Sequence, residues 1–119
     1  MKKILLIEDN EFIRDNTAQL LTFADYEVVM AENGMKGIEL AQEVKPNLII
    51  CDIMMPVLDG FEVLKQVKRN NSTAAIPFIF LTAKKSDEDL SKAQQMGAKG
   101  FLIKPFTEKE LLNVVAQNL

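Results

Sequence analysis

Four strand-forming apolar residues, Leu48-Ile49-Ile50-Cys51, run without interruption into Asp52, and no other stretch constrains the fold as tightly. A strand with one wet face alternates apolar and polar side chains. An unbroken run has to be covered on both faces, as in a parallel sheet packed between helices. The next residues, Ile53-Met54-Met55-Pro56-Val57-Leu58-Asp59-Gly60, contain a proline and an Asp-Gly pair, so the strand stops and delivers Asp52 to a loop. Loops at the carboxyl ends of parallel strands are where such sheets bind ligands. A lone acid at a strand end is more often a helix cap than a nucleophile, so the reading of Asp52 depends on what converges with it.

The remainder of the chain alternates the two periods of strand and helix. Lys3–Ile7 is an apolar run too short for a helix, and Glu8-Asp9-Asn10 is suited to cap the first helix. That helix, from Glu11 to about Phe23, carries Ile13, Thr17, Leu20, Leu21 and Ala24 on one face. Tyr26–Ala31 reads as a strand, Glu32-Asn33-Gly34 as a turn, and Ile38, Ala41 and Val44 as the stripe of a second helix stopped by Pro46. After the central strand, Asn47–Asp52, a third helix buries Phe61, Leu64 and Val67 and leaves Lys65, Lys68 and Arg69 in water. Asn70-Asn71-Ser72 is a loop. Ile76–Ala83 repeats the design of the central strand and closes on Thr82 and Ala83. Ser86-Asp87-Glu88 caps a fourth helix whose apolar positions, Leu90, Ala93 and Met96, are sparse, so it should be the most weakly anchored; Gly97 ends it. Gly100–Lys104 is a fifth strand, Pro105 turns the chain, and Thr107 with Glu110 forms a capping box for a last helix bearing Leu111, Val114 and Val115.

Five strands, each followed by a helix, imply an α/β fold with a parallel sheet covered on both faces by right-handed crossovers. At 119 residues, with 48% hydrophobic and 26% charged residues, residues 1–119 are expected to form one domain able to bury a core without metal or disulfide staples. A net charge of −3 argues against a nucleic-acid binder, because that affinity comes from clustered Lys and Arg. The single cysteine, Cys51, excludes an intrachain disulfide, sits in the apolar run as a small hydrophobe, and suggests a reducing, cytoplasmic setting. Glu8 cuts the first apolar run too short for a signal peptide, and no stretch approaches the roughly 20 apolar residues of a membrane span, so a soluble protein is expected.

In a sheet of this kind the ends of strands one, three, four and five should be neighbours, gathering Glu8 and Asp9, Asp52, Thr82 and Lys104 on one rim. Three carboxylates against one ammonium repel one another and raise carboxylate pKa values unless a divalent cation is present. Oxygen donors with room for water and phosphate suit Mg²⁺ better than Ca²⁺, and the absence of histidine disfavours Zn²⁺. Met54 and Met55 are expected to pack as core rather than act as soft ligands, which leaves the Met54 backbone carbonyl as an oxygen donor.

These residues, taken together, resemble the receiver domains of two-component response regulators over the whole chain. The resemblance rests on Glu8-Asp9 after the first strand, Asp52 within DIMMPVLDG, Thr82-Ala83 after the fourth strand, and Lys104-Pro105 after Phe101. It implies a flavodoxin-like (βα)5 sheet of order 2-1-3-4-5. It implies that Asp52 is the phosphoacceptor, taking a phosphoryl group from a phosphohistidine on a sensor histidine kinase or histidine phosphotransfer protein. Glu8 (through water), Asp9, Asp52 and the Met54 carbonyl would hold Mg²⁺, and Lys104 would pair with a phosphoryl oxygen. Thr82 and Phe101 would form the switch that alters the face of helix four, strand five and helix five, and Ala83 with Met54 and Lys84 would flank the phosphoryl path. A cis Lys104-Pro105 bond is also implied. Such a domain is not an enzyme toward other substrates: it catalyses only its own phosphorylation and dephosphorylation. Its partners would be the kinase and a downstream protein or output domain, with no membrane or direct nucleic-acid contact. Phosphorylation-dependent dimerisation and a stand-alone or longer regulator both stay open.

Other classes fit less well. A flavin-binding module needs a Ser/Thr/Gly-rich phosphate loop where Glu8-Asp9-Asn10 stands. A phosphatase of the haloacid dehalogenase type carries a second acid two residues after its nucleophile, and this chain has Met54 there. A receiver-like scaffold that is never phosphorylated is opposed by the intact set of Asp9, Asp52, Thr82 and Lys104.

Overall fold

In the computed structural model, which describes residues 1–83 and 86–119, the expected alternation is realised as five strands and five helices. They are β1 (Lys3–Ile7), α1 (Glu11–Phe23), β2 (Glu27–Ala31), α2 (Gly34–Val44), β3 (Leu48–Asp52), α3 (Gly60–Arg69), β4 (Phe78–Thr82), α4 (Asp87–Gln95), β5 (Gly100–Ile103) and α5 (Glu108–Gln117). The sheet is fully parallel in the order β2-β1-β3-β4-β5. The strand order reverses between β1 and β3, so the ends of these two strands border the crevice of a doubly wound sheet.

Strand period divides the core in two. Leu5, Ile7, Ile49, Cys51, Phe78 and Phe80 pack with α2, α3 and α4, whereas Ile4, Leu6, Leu48, Ile50, Ile79 and Leu81 pack with α1 and α5. All five residues of β3 and of β4 are buried, as the unbroken apolar runs require. The edge strand β2 is half-exposed and its sequence correspondingly mixed.

Each helix starts on the cap its sequence supplies. Asn10, Asn33, Asp59, Ser86 and Thr107 each accept a backbone N–H in the first turn, and Thr107 with Glu110 completes the capping box. Gly60 is needed where α3 leaves the β3 loop: a methyl built there would lie 2.5 Å from the Asp52 carbonyl oxygen. Gly97, at φ +96°, ends α4 in a conformation that L side chains rarely adopt.

Several strand boundaries fall inside the sequence-based ranges. Strand β2 starts at Glu27 because the Tyr26 N–H is still held by Leu21 O (3.2 Å) at the end of α1. Strand β4 starts at Phe78, since Pro77 has no N–H to give to the ladder. Strand β5 stops at Ile103, although Lys104 N still donates to Thr82 O at 2.7 Å, and the adjoining Lys104-Pro105 peptide is cis. The expectation for the methionine pair needs correcting. Met55 is buried against the core, but the Met54 side chain is 72% exposed, because consecutive residues leaving an extended strand point to opposite sides. Among the described residues no helix is long and apolar enough to cross a membrane.

Candidate functional site

The rim forms because strand period and register agree. Asp52 continues the side of Leu48 and Ile50, Glu8 that of Ile4 and Leu6, and Lys104 that of Leu102, all on the α1/α5 side of the sheet. Thr82 continues Phe78 and Phe80 on the other side, where the ring of Phe101 lies 6.1 Å from that of Phe80. Sequence spacing thus sorts the residues into a charged group and a packed group that share one sheet end.

The charged group is drawn together tightly. Carboxylate oxygens of Glu8, Asp9 and Asp52 lie within 4.8 Å of one another. Lys104 Nζ is 2.7 Å from Glu8 Oε1 and 3.4 Å from Asp52 Oδ2. The other oxygen of Asp52, Oδ1, accepts from the Met54 backbone N–H at 3.4 Å, a long hydrogen bond. Asp52 is only 4% exposed and Glu8 wholly buried, whereas Asp9 is open to solvent. Glu8 is further fixed through its backbone carbonyl, which accepts from Arg14 Nη1 at 3.0 Å, and through Oε2, which accepts from Asn10 N at 3.2 Å.

Crowding is visible in the proton affinity of Asp9. Partial burial raises its carboxyl above the ordinary aspartate range, and the neighbouring Glu8 raises it further through a hydrogen bond and through charge. Burial likewise pushes the Cys51 thiol well above its usual value, with Asp52 and Glu8 adding to it; the thiol donates to Asp52 O at 3.3 Å and behaves as a packed hydrophobe.

Not every sequence-predicted residue reaches the rim. Thr82 sits at it, buried, with its carbonyl tied to Lys104 N. Ala83 is exposed and lines a cavity of about 370 Å³ with Phe12, Ile13, Asn16, Thr17, Lys104, Pro105 and Phe106. Phe101 is half-buried on the α4 side, packed against the core there and away from the acids. Lys84 lies outside the described residues. The Lys104–Glu8 pairing is the feature that the spacing did not disclose: the resemblance pairs Lys104 with a phosphoryl oxygen, and nothing in a linear string signals which of two neighbouring acids an ammonium will choose.

Fold and rim together define the class: a doubly wound α/β domain with a lysine-braced cluster of acids at the carboxyl ends of its central strands. The sequence profile of the response regulator receiver domain matches residues 4–116, and the chain belongs to that family. It is 38% identical over 113 residues to the probable transcriptional regulator ycf29 of Pyropia yezoensis, covering 95% of this chain and 51% of that protein. The chain spans about half the length of the first curated relatives it matches. Among solved structures, the chemotaxis protein CheY4 of Vibrio cholerae superposes with a TM-score of 0.96 at 34% identity, over 100% of this chain and 99% of that one. The receiver domain of sensor histidine kinase PA1611 from Pseudomonas aeruginosa superposes with a TM-score of 0.90 at 27% identity, covering 98% of this chain and 96% of that one, and has a magnesium ion in its active-site cleft. The protein is a receiver domain of the two-component type, and its strand order is the one the resemblance implied.

Proposed function

We propose that Asp52 accepts a phosphoryl group from a phosphohistidine on a separate protein, a sensor histidine kinase or histidine phosphotransfer protein. The observation that carries this is the environment of Asp52: a nearly buried carboxylate at a strand end, with Oδ1 turned to the Met54 N–H and Oδ2 facing Lys104. A carboxylate oxygen attacks phosphorus, the new O–P bond forms as the N–P bond to the donor imidazole breaks, and the charge left on the phosphoryl oxygens falls within reach of the Lys104 ammonium. Residues 1–119 contain no histidine, so the donor imidazole lies outside them.

The donor set fits Mg²⁺. It consists of oxygens alone, and ligand oxygens around Mg²⁺ are separated by about 3–4 Å, so carboxylates gathered within 4.8 Å need only a small adjustment. Asp9, Asp52, the Met54 carbonyl and Glu8 would hold the ion. When bound, it supplies positive charge that offsets the phosphoryl oxygens. The magnesium site of the PA1611 receiver supports this choice.

Thr82 hydrogen-bonds the aspartyl phosphate and Phe101 follows it, changing the face formed by α4, β5 and α5. Ala83 keeps the entry small, and Met54, with its exposed side chain, flanks the path of water to the phosphate. Residues 1–119 act as one receiver unit in the cytoplasm, signalling to a downstream protein or to an output domain of a longer regulator. Catalysis is confined to the domain's own phosphorylation and dephosphorylation.

Incubation with acetyl phosphate and Mg²⁺ should add the mass of one phosphoryl group, and the addition should be lost in chelator and in Asp52→Asn. An unchanged intact mass of the unaltered protein would sink the proposal.

A further inference from the structure

Thr17, on the inner side of α1, is only 1% exposed, and among the described residues its hydroxyl has no hydrogen-bond partner. A threonine inside a helix ordinarily gives its hydroxyl to the carbonyl one turn back. Thr22 of the same helix does so, with Oγ1 2.8 Å from Ala18 O. Thr17 does not, and a buried hydroxyl left unpaired carries its full desolvation cost. The same residue lines the cavity of about 370 Å³ between α1 and the turn from β5 to α5. Phe12 and Ile13 face that cavity from α1, and Pro105 and Phe106 face it from the turn. Phe12 is 81% exposed and belongs to neither half of the core, so the fold itself does not explain an aromatic ring there. Lys104 is the one charged side chain among the described residues of the lining, and its ammonium is already held by Glu8 at 2.7 Å and Asp52 at 3.4 Å.

We propose that this cavity binds a small, uncharged aromatic molecule bearing one hydroxyl, with the ring between Phe12 and Phe106 and the hydroxyl paired with that of Thr17. Small-molecule sites are concave and mostly apolar, with a few polar atoms that fix orientation, and this cavity has the size and the lining of one. An apolar cavity of about 150 Å³ already holds benzene, so a substituted ring has room here. Two phenylalanine rings favour an aromatic guest through edge-to-face and offset packing. A charged guest would lose its hydration without gaining a partner, because Lys104 is neutralised by the two acids. Pairing with the guest takes one step of Thr17 χ1 between staggered wells, which exchanges the places of hydroxyl and methyl. The site borders Ala83 and Lys104 but needs neither Mg²⁺ nor a phosphoryl group.

The test is a cycle of two probes and two proteins, read by amide chemical shifts. Phenol, which is uncharged at neutral pH, and toluene, which has a methyl in place of the hydroxyl, are titrated into the unaltered protein and into Thr17→Val, a substitution that keeps the shape and removes the hydroxyl. Phenol should produce saturable shifts at Ile13, Asn16, Thr17 and Phe106. Thr17→Val should weaken phenol about five-fold, the size of one net hydrogen bond, and leave toluene unchanged within about two-fold. Phe12→Ala, at an exposed position outside the core, should weaken both probes alike. Shifts that do not saturate or that fall on other surfaces overturn the proposal, as does a phenol affinity indifferent to Thr17→Val or a pair of affinities indifferent to Phe12→Ala.

Discussion

Helices α3 and α4 pack on the same face of the sheet and come after the two strands that deliver Asp52 and Thr82, yet they are anchored very differently. Helix α3 buries Gly60, Phe61, Val63, Leu64 and Val67; helix α4 buries Ala93 alone. Its other apolar residues, Leu90 and Met96, are half-buried, and a cavity lined by Leu90, Ala93 and Phe101 opens between α4 and β5. The strand that carries the acceptor thus runs into a helix held by the core, and the strand that carries the hydroxyl runs into one that is not. A site built this way keeps Asp52 fixed and has its compliant element next to Thr82 and Phe101, where packing resists displacement least.

The comparison can be broken first by cavity mutations. Leu64→Ala in α3 should cost about 2–5 kcal/mol in urea unfolding, whereas Leu90→Ala in α4 should cost about 1 kcal/mol or less. Equal costs would mean that α4 is a core helix. The loop feeding α3 offers the opposite sign. Val57 is 98% exposed and holds φ +69°, a conformation that costs a β-branched residue about 1–2 kcal/mol. Val57→Gly should stabilise the domain by about 0.5–1 kcal/mol after glycine's greater freedom in the unfolded chain is counted. It should raise the hydrogen-exchange protection of α3, the helix held by the core, and leave that of α4 unchanged.

Smaller effects sharpen the same contrast. Lys92 Nζ lies 4.3 Å from the centroid of the Phe61 ring, a direct tie from α4 to α3. Lys92→Ala should cost about 0.5 kcal/mol, read as faster amide exchange in α4 with α3 unaffected. Asp9 belongs to neither helix and serves as the control. Its carboxyl is raised by burial and by Glu8, so ionised Asp9 opposes folding; that penalty is full at neutral pH and disappears as pH falls through the raised value toward the ordinary 3.8. In chelator, Asp9→Asn should therefore melt a few degrees higher than the unaltered protein at pH 7. The gap should close on acidification, and α4 exchange should not change at any pH.

Much of this is legible in the residue string. The apolar runs of β3 and β4 announce strands covered on both faces, and Asn10, Asn33, Asp59, Ser86 and Thr107 announce the helix starts. The sparse stripe of α4 announces its weak seat. The exposure of Met54 is not legible, because adjacency to a core says nothing about which way a side chain leaves an extended strand. The short reach of β2 is hidden as well, since it depends on where the Tyr26 N–H is bonded, whereas the late start of β4 is legible in Pro77, which has no N–H.

Local chemistry was enough to determine which residues meet at the sheet end, because a parallel βα alternation brings strand ends together whatever lies between them. Local chemistry could not decide how the charges pair there. Glu8, Asp9, Asp52 and Lys104 come from three separate strand ends, and a difference between 2.7 and 3.4 Å in the partners of one ammonium follows from sheet register, from the pinning of Glu8 by Asn10 and Arg14, and from the length of one side chain. Pairing of this kind depends on distance in the folded chain, and only the tertiary structure sets that distance.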